Sequence, residues 1–373
     1  MHRSRDNRVL VLNSRPLWVR LLFRALGRFV PTSGVVFHLT ARDTPISEFD
    51  LGQASGWELH SVELPRRSFG RMAPVFAPWI KKRLERKFGW PTVTVITDPS
   101  QRALCRHFEG TYRVYYVADD YRWGYGWDPQ AVESWERIII GNVEKVVCIS
   151  NALAQSLQSR LNVEQERIYV SSSGMPANAI PERPGAGVGS AQRDIFSDRR
   201  PLAGVLGTID SRIRLDWLRQ LIDMLPWLNL LLVGPLAELE DRQVADWQYL
   251  KEHPRCVIAG EVQYYDLFKY AAAVDVGLIP LTGEGINPTS SPTRFFTQLP
   301  FGQPIIASDG SLQLSDFRPL VWITRTAQDF IQKVEDLRRT DFEDGMAAQR
   351  HAAAYEHTWE RRAENFYREL IAG

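Results

Sequence analysis

Cysteine is scarce in this chain. Its three residues, Cys105, Cys148 and Cys256, are odd in number and far apart. They form no disulfide framework and no metal-ligand spacing, which points to a reducing compartment. Long hydrophobic runs are also missing. No stretch approaches the ~20 apolar residues of a membrane-spanning helix, and the N-terminus carries no apolar signal core. No Gly-x-Gly-x-x-Gly follows the apolar run at 9–12, which argues against a dinucleotide-dependent dehydrogenase. No repeat or low-complexity segment stands out. Net charge is nearly absent, at +1, but this conceals an asymmetry. Residues 1–180 hold 24 Lys and Arg against 17 Asp and Glu, whereas residues 181–373 hold 21 against 27. A basic half and an acidic half suggest different partners for each.

The chain has 373 residues, 44% of them hydrophobic, which is ordinary for a globular protein and long enough for two domains. Apolar runs at 9–12, 35–39, 93–97, 113–119, 144–150 and 167–171 read as strands. Helical patterns at 17–29, 131–142 and 151–161 alternate with them. Residues 181–200, with Pro181, Pro184, Gly185, Gly187 and Gly189, read as a linker. A second set follows, with strands at 202–206, 228–233, 257–260, 275–280, from Pro304 and at 320–324, helices at 215–225 and 264–274, and two closing helices. Such alternation implies parallel sheets with crossover helices. The expected division is a first domain at 1–180, a second at 201–350 and a C-terminal helix at 351–373. Polar loops at strand ends in both domains imply a cleft between them.

Residues 275–309 organise the second domain. Asp275-Val-Gly-Leu-Ile-Pro280 is an apolar strand. Residues 282–294, rich in Gly, Ser, Thr and Pro, cannot be regular structure. A short apolar helix then runs from Pro292 to Gly302, with proline and glycine at the ends that tolerate them. A polar loop between a strand's C-end and a helix's N-end is where open α/β sheets bind ligands, and helix N–H groups suit phosphate.

Two features of the first half carry possible chemistry. Asp119 and Asp120 end a strand ahead of Tyr121-Arg-Trp-Gly-Tyr-Gly-Trp127. Acids so placed can serve as bases, or can simply close a turn. Residues 66–90 carry Arg66, Arg67, Arg71, Lys81, Lys82, Arg83, Arg86 and Lys87 against Glu85 alone, interleaved with aromatics such as Phe69, Trp79 and Trp90. This reads as a solvated helix face or as a face on an anionic membrane. No nucleic-acid-binding motif accompanies the charge.

The second half resembles the nucleotide-sugar domain of GT-B glycosyltransferases. The resemblance runs from Gly207-Thr-Ile-Asp-Ser-Arg212 through Leu-Leu-Val-Gly234-Pro, Val-Ile-Ala-Gly260-Glu-Val262 and 275–280 to Arg294 and Gly302-Gln-Pro304. Thr358-Trp359 before a last helix extends it. It implies two Rossmann-like parallel-sheet domains facing across a cleft, with a C-terminal helix returning toward the first. In the large retaining family two glutamates, seven residues apart, precede Gly-x-Pro, and counting back from Gly302 puts Thr297 at the second. The chain is also similar to the bacterial glucuronosyltransferase of xanthan assembly at Ser291-Pro-Thr-Arg294 and at 114–119. There the Arg294 position, a lysine, binds nucleotide, the Asp119 position is the general base, and a basic, apolar N-domain face meets a lipid-linked acceptor.

The expected enzyme therefore transfers sugar from a nucleotide diphosphate donor, UDP first among the candidates, to a lipid-linked or glycan acceptor. Inversion with Asp119 or Asp120 as base is expected, without a metal and with no nucleic-acid partner, in the cytoplasm on the inner face of a membrane through 66–90. Donor contacts are expected from Gly207, Thr208, Arg212, Gly234, Val262, Glu284, Thr289, Ser290, Ser291 and Arg294, because cations and loop hydroxyls suit a diphosphate whose charge grows as the glycosyl bond breaks. Arg212 and Arg294 read alternatively as surface ion pairs. A nucleotide-sugar 2-epimerase and a non-catalytic GT-B binding protein are the rival readings.

Overall fold

The computed structural model describes residues 7–39, 54–66, 68–70, 72–185 and 200–372. Arg67, Arg71 and linker residues 186–199 lie outside the described residues. The chain forms two compact units. The first is Met1–Ser172 with Trp359–Gly373, and the second is Ser173–Thr358. The units part at Ser172/Ser173, where the sequence reading ended the first domain at 180. The C-terminal change of unit falls at Thr358/Trp359, rather than at 350.

The first unit is built on seven strands: β1 Val9–Leu12, β2 Thr32–Leu39, β3 Trp57–Leu64, β4 Val93–Ile96, β5 Tyr112–Val117, β6 Lys145–Cys148 and β7 Ile168–Val170. They lie in the order β3-β2-β1-β4-β5-β6-β7, every pair parallel. β1 and β4 are buried along their whole length, which is why they read as apolar runs, broken only by Thr94. Sequence order reverses between β1 and β4, so the crevice outside their C-ends is a topological switch point. Asn13 and Asp98 stand there, joined by a 3.0 Å hydrogen bond from Asn13 Nδ2.

Helices cover this sheet with the caps expected of their sequences. Ser150 accepts from the Leu153 amide at 3.0 Å and opens Asn151–Leu161, which ends on the left-handed Asn162. Asp128 accepts from the Ala131 amide at 2.8 Å ahead of Pro129–Ile140. Leu17–Leu26 stops three residues short of the expected end, and Arg20, in its middle, is buried. Phe23 on this helix meets Tyr116 and Phe366 edge-to-face, at 5.7 and 5.4 Å between ring centres. Phe366 belongs to the last helix, Trp359–Tyr367, which is how the chain's C-terminus completes the first unit.

The second unit has six parallel strands: β8 Leu202–Leu206, β9 Asn229–Val233, β10 Cys256–Gly260, β11 Val276–Ile279, β12 Ile305–Ser308 and β13 Trp322–Thr324. Their order is β10-β9-β8-β11-β12-β13, with the reversal between β8 and β11. Gly277 of β11 is required by packing, because a Cβ there would lie 1.3 Å from Oε1 of the fully buried Gln298.

The architecture is the expected α/β one, two all-parallel sheets flanked by helices. Several elements differ from the sequence reading. β3 and the helix Asp241–Glu252 were not anticipated. The helix expected over 264–274 is confined to Leu267–Ala271. Three α-helices rather than two close the chain: Ala327–Arg338, Ala347–Glu356 and Trp359–Tyr367. Among the described residues, no helix is long and apolar enough to cross a membrane.

Candidate functional site

In the second unit the switch point lies between the loop after β8 and the loop after β11. The β8 loop begins with Gly207, whose φ of +107° a side chain would strain. Gly234, after β9, has φ +140°, and a Cβ on it would lie 2.2 Å from the Gly207 carbonyl oxygen. These glycines let two strand ends approach closely. Against them rests Arg294. A Cβ on Gly207 would come 3.1 Å from its Nη1.

Arg294 is the second residue of the helix Thr293–Gln298, which follows the loop after β11. Its side chain is buried. Nη1 donates to the Leu206 carbonyl at 2.8 Å and Nη2 to the Thr208 carbonyl. Burial pushes its pKa down to about 10, the nearby charge of Arg212 adding to the effect and Asp210 opposing it. The group therefore stays cationic at neutral pH. It is a buried cation clamping backbone carbonyls, not the surface ion pair that was its alternative reading.

Arg212 does form an ion pair. Its Nε and Nη2 reach Asp210 Oδ2 at 2.9 and 2.6 Å, and its amide donates to Asp210 Oδ1 at 3.0 Å. Glu284 is exposed and pairs with Arg242 at 3.3 Å. Thr289 and Ser290 hydroxyls turn back on their own loop, donating to Ile286 at 3.3 Å and Asn287 at 2.8 Å. Ser291 is buried, and its hydroxyl accepts from the Ser173 amide at 2.9 Å. Val262 is half-buried against the apolar core.

Asn287, passed over in the sequence reading, ties this loop together. Its Nδ2 donates to the Arg212 carbonyl at 3.1 Å and to the Thr282 carbonyl at 3.0 Å. The local signal was Asn-Pro inside a Gly/Ser/Thr segment, a turn-former placed to bridge backbone groups. Thr208, Arg212, the 282–291 loop and Arg294 are thus gathered at one switch point.

In the first unit β5 ends at Val117, so Asp119 sits two residues into the following loop rather than at the strand's end. Tyr125 donates its hydroxyl to Asp119 Oδ2 at 2.6 Å. Tyr121 donates to the Thr97 carbonyl at 2.6 Å and anchors the loop onto β4. Tyr125 stacks on Trp127 at 5.5 Å, and the Tyr125 and Trp123 rings are exposed. Asp120 faces otherwise. It is buried and held by Arg122 through Nε at 2.8 Å and Nη2 at 2.5 Å.

Asp98 is a residue the sequence reading missed. It sits two residues beyond β4 and accepts from the Ser100 amide at 2.7 Å, while burial raises its pKa. The signal was Asp-Pro-Ser directly after an apolar run. Behind the loop, Glu136 is buried, takes a 3.2 Å hydrogen bond from Tyr115 and pairs with Arg160 at 3.4 Å. Ser156 links this pair to the Asp120–Arg122 pair, with Arg160 Nε at 3.2 Å and Arg122 Nη2 at 3.4 Å from its hydroxyl. Among the described residues, no three His, Cys, Asp or Glu side chains gather as metal ligands.

Residues 212–368 match a family model described as glycosyl transferase-like. A Bacillus subtilis protein, TuaH, whose name assigns it to teichuronic acid biosynthesis as a glycosyltransferase, is 21% identical over 181 residues. That alignment spans 48% of this chain and 44% of TuaH, so the chain matches less than half the length of this relative. Similar solved structures include HepE of Anabaena in complex with UDP and glucose, at TM-score 0.73 and 12% identity, covering 98% of this chain and 100% of that one. Sucrose-phosphate synthase of Thermosynechococcus elongatus aligns at TM-score 0.72 and 16% identity, over 98% and 99%. The catalytic domain of starch synthase IV of Arabidopsis thaliana, bound to ADP and acarbose, aligns at 0.70 and 13%, over 99% of both. At these identities the likeness speaks for the fold. Residues 212–368 thus carry the likeness to the glycosyl transferase-like family, and the two parallel-sheet units share the fold of the GT-B glycosyltransferases.

Proposed function

We propose that this chain moves a sugar from a UDP-linked donor to a lipid-linked or polysaccharide acceptor, with inversion at the anomeric carbon. The observation that carries the reading is Arg294, a buried cation at the switch point of the second sheet. Ligands of open α/β sheets bind there, and a diphosphate leaving group needs positive charge where its own charge grows. Arg294, Arg212, the hydroxyls of Thr289, Ser290 and Ser291 and the backbone at Gly207, Thr208, Gly234 and Val262 are proposed to hold the diphosphate and nucleoside. Glu284 is proposed for sugar hydroxyls. The scheme uses cationic side chains in place of a metal. That HepE is described in complex with UDP supports the choice of donor.

In the first unit Asp119 is proposed as the base. Its carboxylate takes the proton of an acceptor hydroxyl as that oxygen bonds to the anomeric carbon. The bond from that carbon to the diphosphate breaks, and UDP leaves with the electron pair. Asp119 is favoured over Asp120 because Arg122 holds Asp120 with two short bonds. The name of TuaH favours a cell-envelope polysaccharide as product. The basic helix Ala73–Phe88 is proposed to rest on the inner face of a membrane, in the cytoplasm.

Calorimetric titration with UDP and UDP-glucose tests the donor site, with tight binding expected for the wild type and weak binding for Arg294→Ala. Product anomers read by NMR test the inversion. Absence of any nucleotide binding would favour a non-catalytic GT-B protein, and conversion of donor without acceptor would favour an epimerase.

A further inference from the structure

The helix Ala73–Phe88 is divided by exposure into two faces. Ala73, Ala77, Ile80 and Leu84 are buried against the first unit. The opposite ridge changes character along its length: Met72, Val75 and Trp79 are exposed apolar residues, and Lys82, Arg83, Arg86 and Lys87 follow them. Arg83 donates to the Glu63 carbonyl at 3.0 Å, and Lys81, on the flank, pairs with Glu85. Among the described residues, Lys82, Arg86 and Lys87 have no acidic partner.

This ridge runs into a cavity of about 470 Å³ at the N-terminal ends of β1, β2 and β3. Arg8, Thr32, Ser33, Trp57, Lys87 and Phe88 line it. A more open cavity of about 500 Å³ is lined by Trp79, Lys82, Arg83, Arg86 and Lys87. Lys87 lines both, so the two adjoin. Glu58, the one acid in the walls among the described residues, is exposed and shares a 3.0 Å hydrogen bond with His60. The deeper cavity lies at the opposite end of the sheet from Asp119, since every strand runs the same way.

We infer that this cavity holds the phosphate of an anionic phospholipid headgroup, between Arg8 and Lys87, while the ridge lies on the bilayer. The inference rests on the membrane reading of this helix and gives it a defined site. The order of the ridge sets the orientation. Met72, Val75 and Trp79 enter the interfacial layer, where indole and aliphatic groups are favoured. The four cations beyond them stand at headgroup level, each attracting anionic lipid. The helix's C-terminal carbonyl end would repel an anion by itself. Arg8 offsets it by donating to the Phe88 carbonyl at 3.4 Å, and Lys87 Nζ lies over the Phe88 ring, 5.6 Å from its centre. Trp57 and Phe88 add apolar wall for the glycerol carbons. A membrane is favoured over nucleic acid because the exposed apolar residues continue the charged ridge, which a phosphate backbone would not need.

The test uses the full chain, sedimented with phosphatidylcholine vesicles with or without about 30% phosphatidylglycerol at low salt. Wild type should sediment with the anionic vesicles only. Arg8→Ser/Lys87→Ser should lower the partition coefficient by about tenfold or more, as should Lys82→Ser/Arg86→Ser. Lys251→Ser/Lys269→Ser, in the second unit, should change nothing. Circular dichroism checks that each variant folds, and Lys87→Ser alone stands in if Arg8 proves structural. Soluble sn-glycerol 1-phosphate should compete with vesicles for wild type and not for Arg8→Ser/Lys87→Ser. Wild type that ignores anionic vesicles overturns the membrane reading and this inference together. Wild type that binds them, with Arg8→Ser/Lys87→Ser undiminished, overturns the headgroup site alone. Tighter binding to a duplex oligonucleotide than to vesicles at equal salt overturns the choice of partner.

Discussion

A Cβ on Gly234 would stand 2.2 Å from the carbonyl oxygen of Gly207. That distance lets no side chain in, and the contact is backbone, which cannot swing aside. Gly234→Ala should therefore destabilise the second unit by roughly 2–4 kcal/mol, combining a strained positive φ with a steric shift. It should also weaken UDP binding, because the displaced Gly207 loop carries the carbonyls that Arg294 holds. Gly260→Ala is the control. Its φ is +72° but nothing lies within 4 Å of the added carbon, so a cost of about 1 kcal/mol is expected. Thermal melts of the two variants check this, and equal costs would refute the close-approach argument.

Arg294 has two possible uses, and they separate experimentally. It clamps the Leu206 and Thr208 carbonyls, and its charge is proposed to meet the donor's diphosphate. Arg294→Ala should weaken UDP binding by roughly 1.5–3 kcal/mol, the worth of a charged hydrogen bond. The comparison that isolates charge is uridine against UDP. If Arg294 only shapes the loop, both ligands should weaken equally. If it meets the diphosphate, UDP alone should lose most of its affinity.

How much of this was legible beforehand follows from burial. β1, β4, β8 and β11 are enclosed on both faces, so their sequences are almost wholly apolar, with Thr94 the one polar residue, and are bounded by turn formers. β3 escaped notice because it is an edge strand, paired only with β2 and half exposed, with Glu58, His60, Ser61 and Glu63 breaking its apolar pattern. Asp241–Glu252 is mostly polar, although Glu240 and Gln243 form a capping box that could have marked its start. The switch-point loop was visible as a Gly/Ser/Thr/Pro cluster. What Arg294 holds was not, because Leu206 and Thr208 lie more than eighty residues upstream. The same limit applied to Asp119 and Asp120. Adjacent acids look alike until Arg122 is seen closing on one and Tyr125 on the other.

Those two acids should respond oppositely to neutralisation. Asp119→Asn should keep donor binding and stability but lower turnover, read as UDP release with acceptor present, by a factor on the order of 10²–10⁴. Asp120→Asn removes one partner of a buried pair and leaves Arg122 uncompensated, so a stability loss of about 3 kcal/mol is expected. Near-normal turnover in Asp119→Asn would move the base elsewhere. Asp98, in the loop after β4, is then the next acid to replace.

Glu136 supplies a prediction that needs no substrate. Its carboxyl is 1% exposed, and burial raises its pKa from 4.5 to about 7, opposed by Arg160 and helped by the charge of Asp120. The groups facing it are Tyr115 on β5, Cys148 on β6, Arg160 on the helix Asn151–Leu161, and the Asp120–Arg122 pair. Between pH 4.5 and 7 the folded protein holds a proton here that the unfolded chain has released. Stability from this group is therefore fully present below about pH 4.5 and is lost as pH rises through about 7. The whole change is roughly 3 kcal/mol for a shift of this size. Glu136→Gln cannot titrate, so its stability should fall less steeply over that window. At the low end of the window the wild-type carboxyl is protonated and uncharged like the amide, and the attraction of Arg160 for the carboxylate is already contained in the net shift. Urea unfolding of both proteins at half-unit steps from pH 4.5 to 8 gives the two curves. The variant should gain roughly 3 kcal/mol relative to the wild type between the low and the high end of that range. Parallel curves would mean that Glu136 ionises in the folded state as it does in the unfolded one.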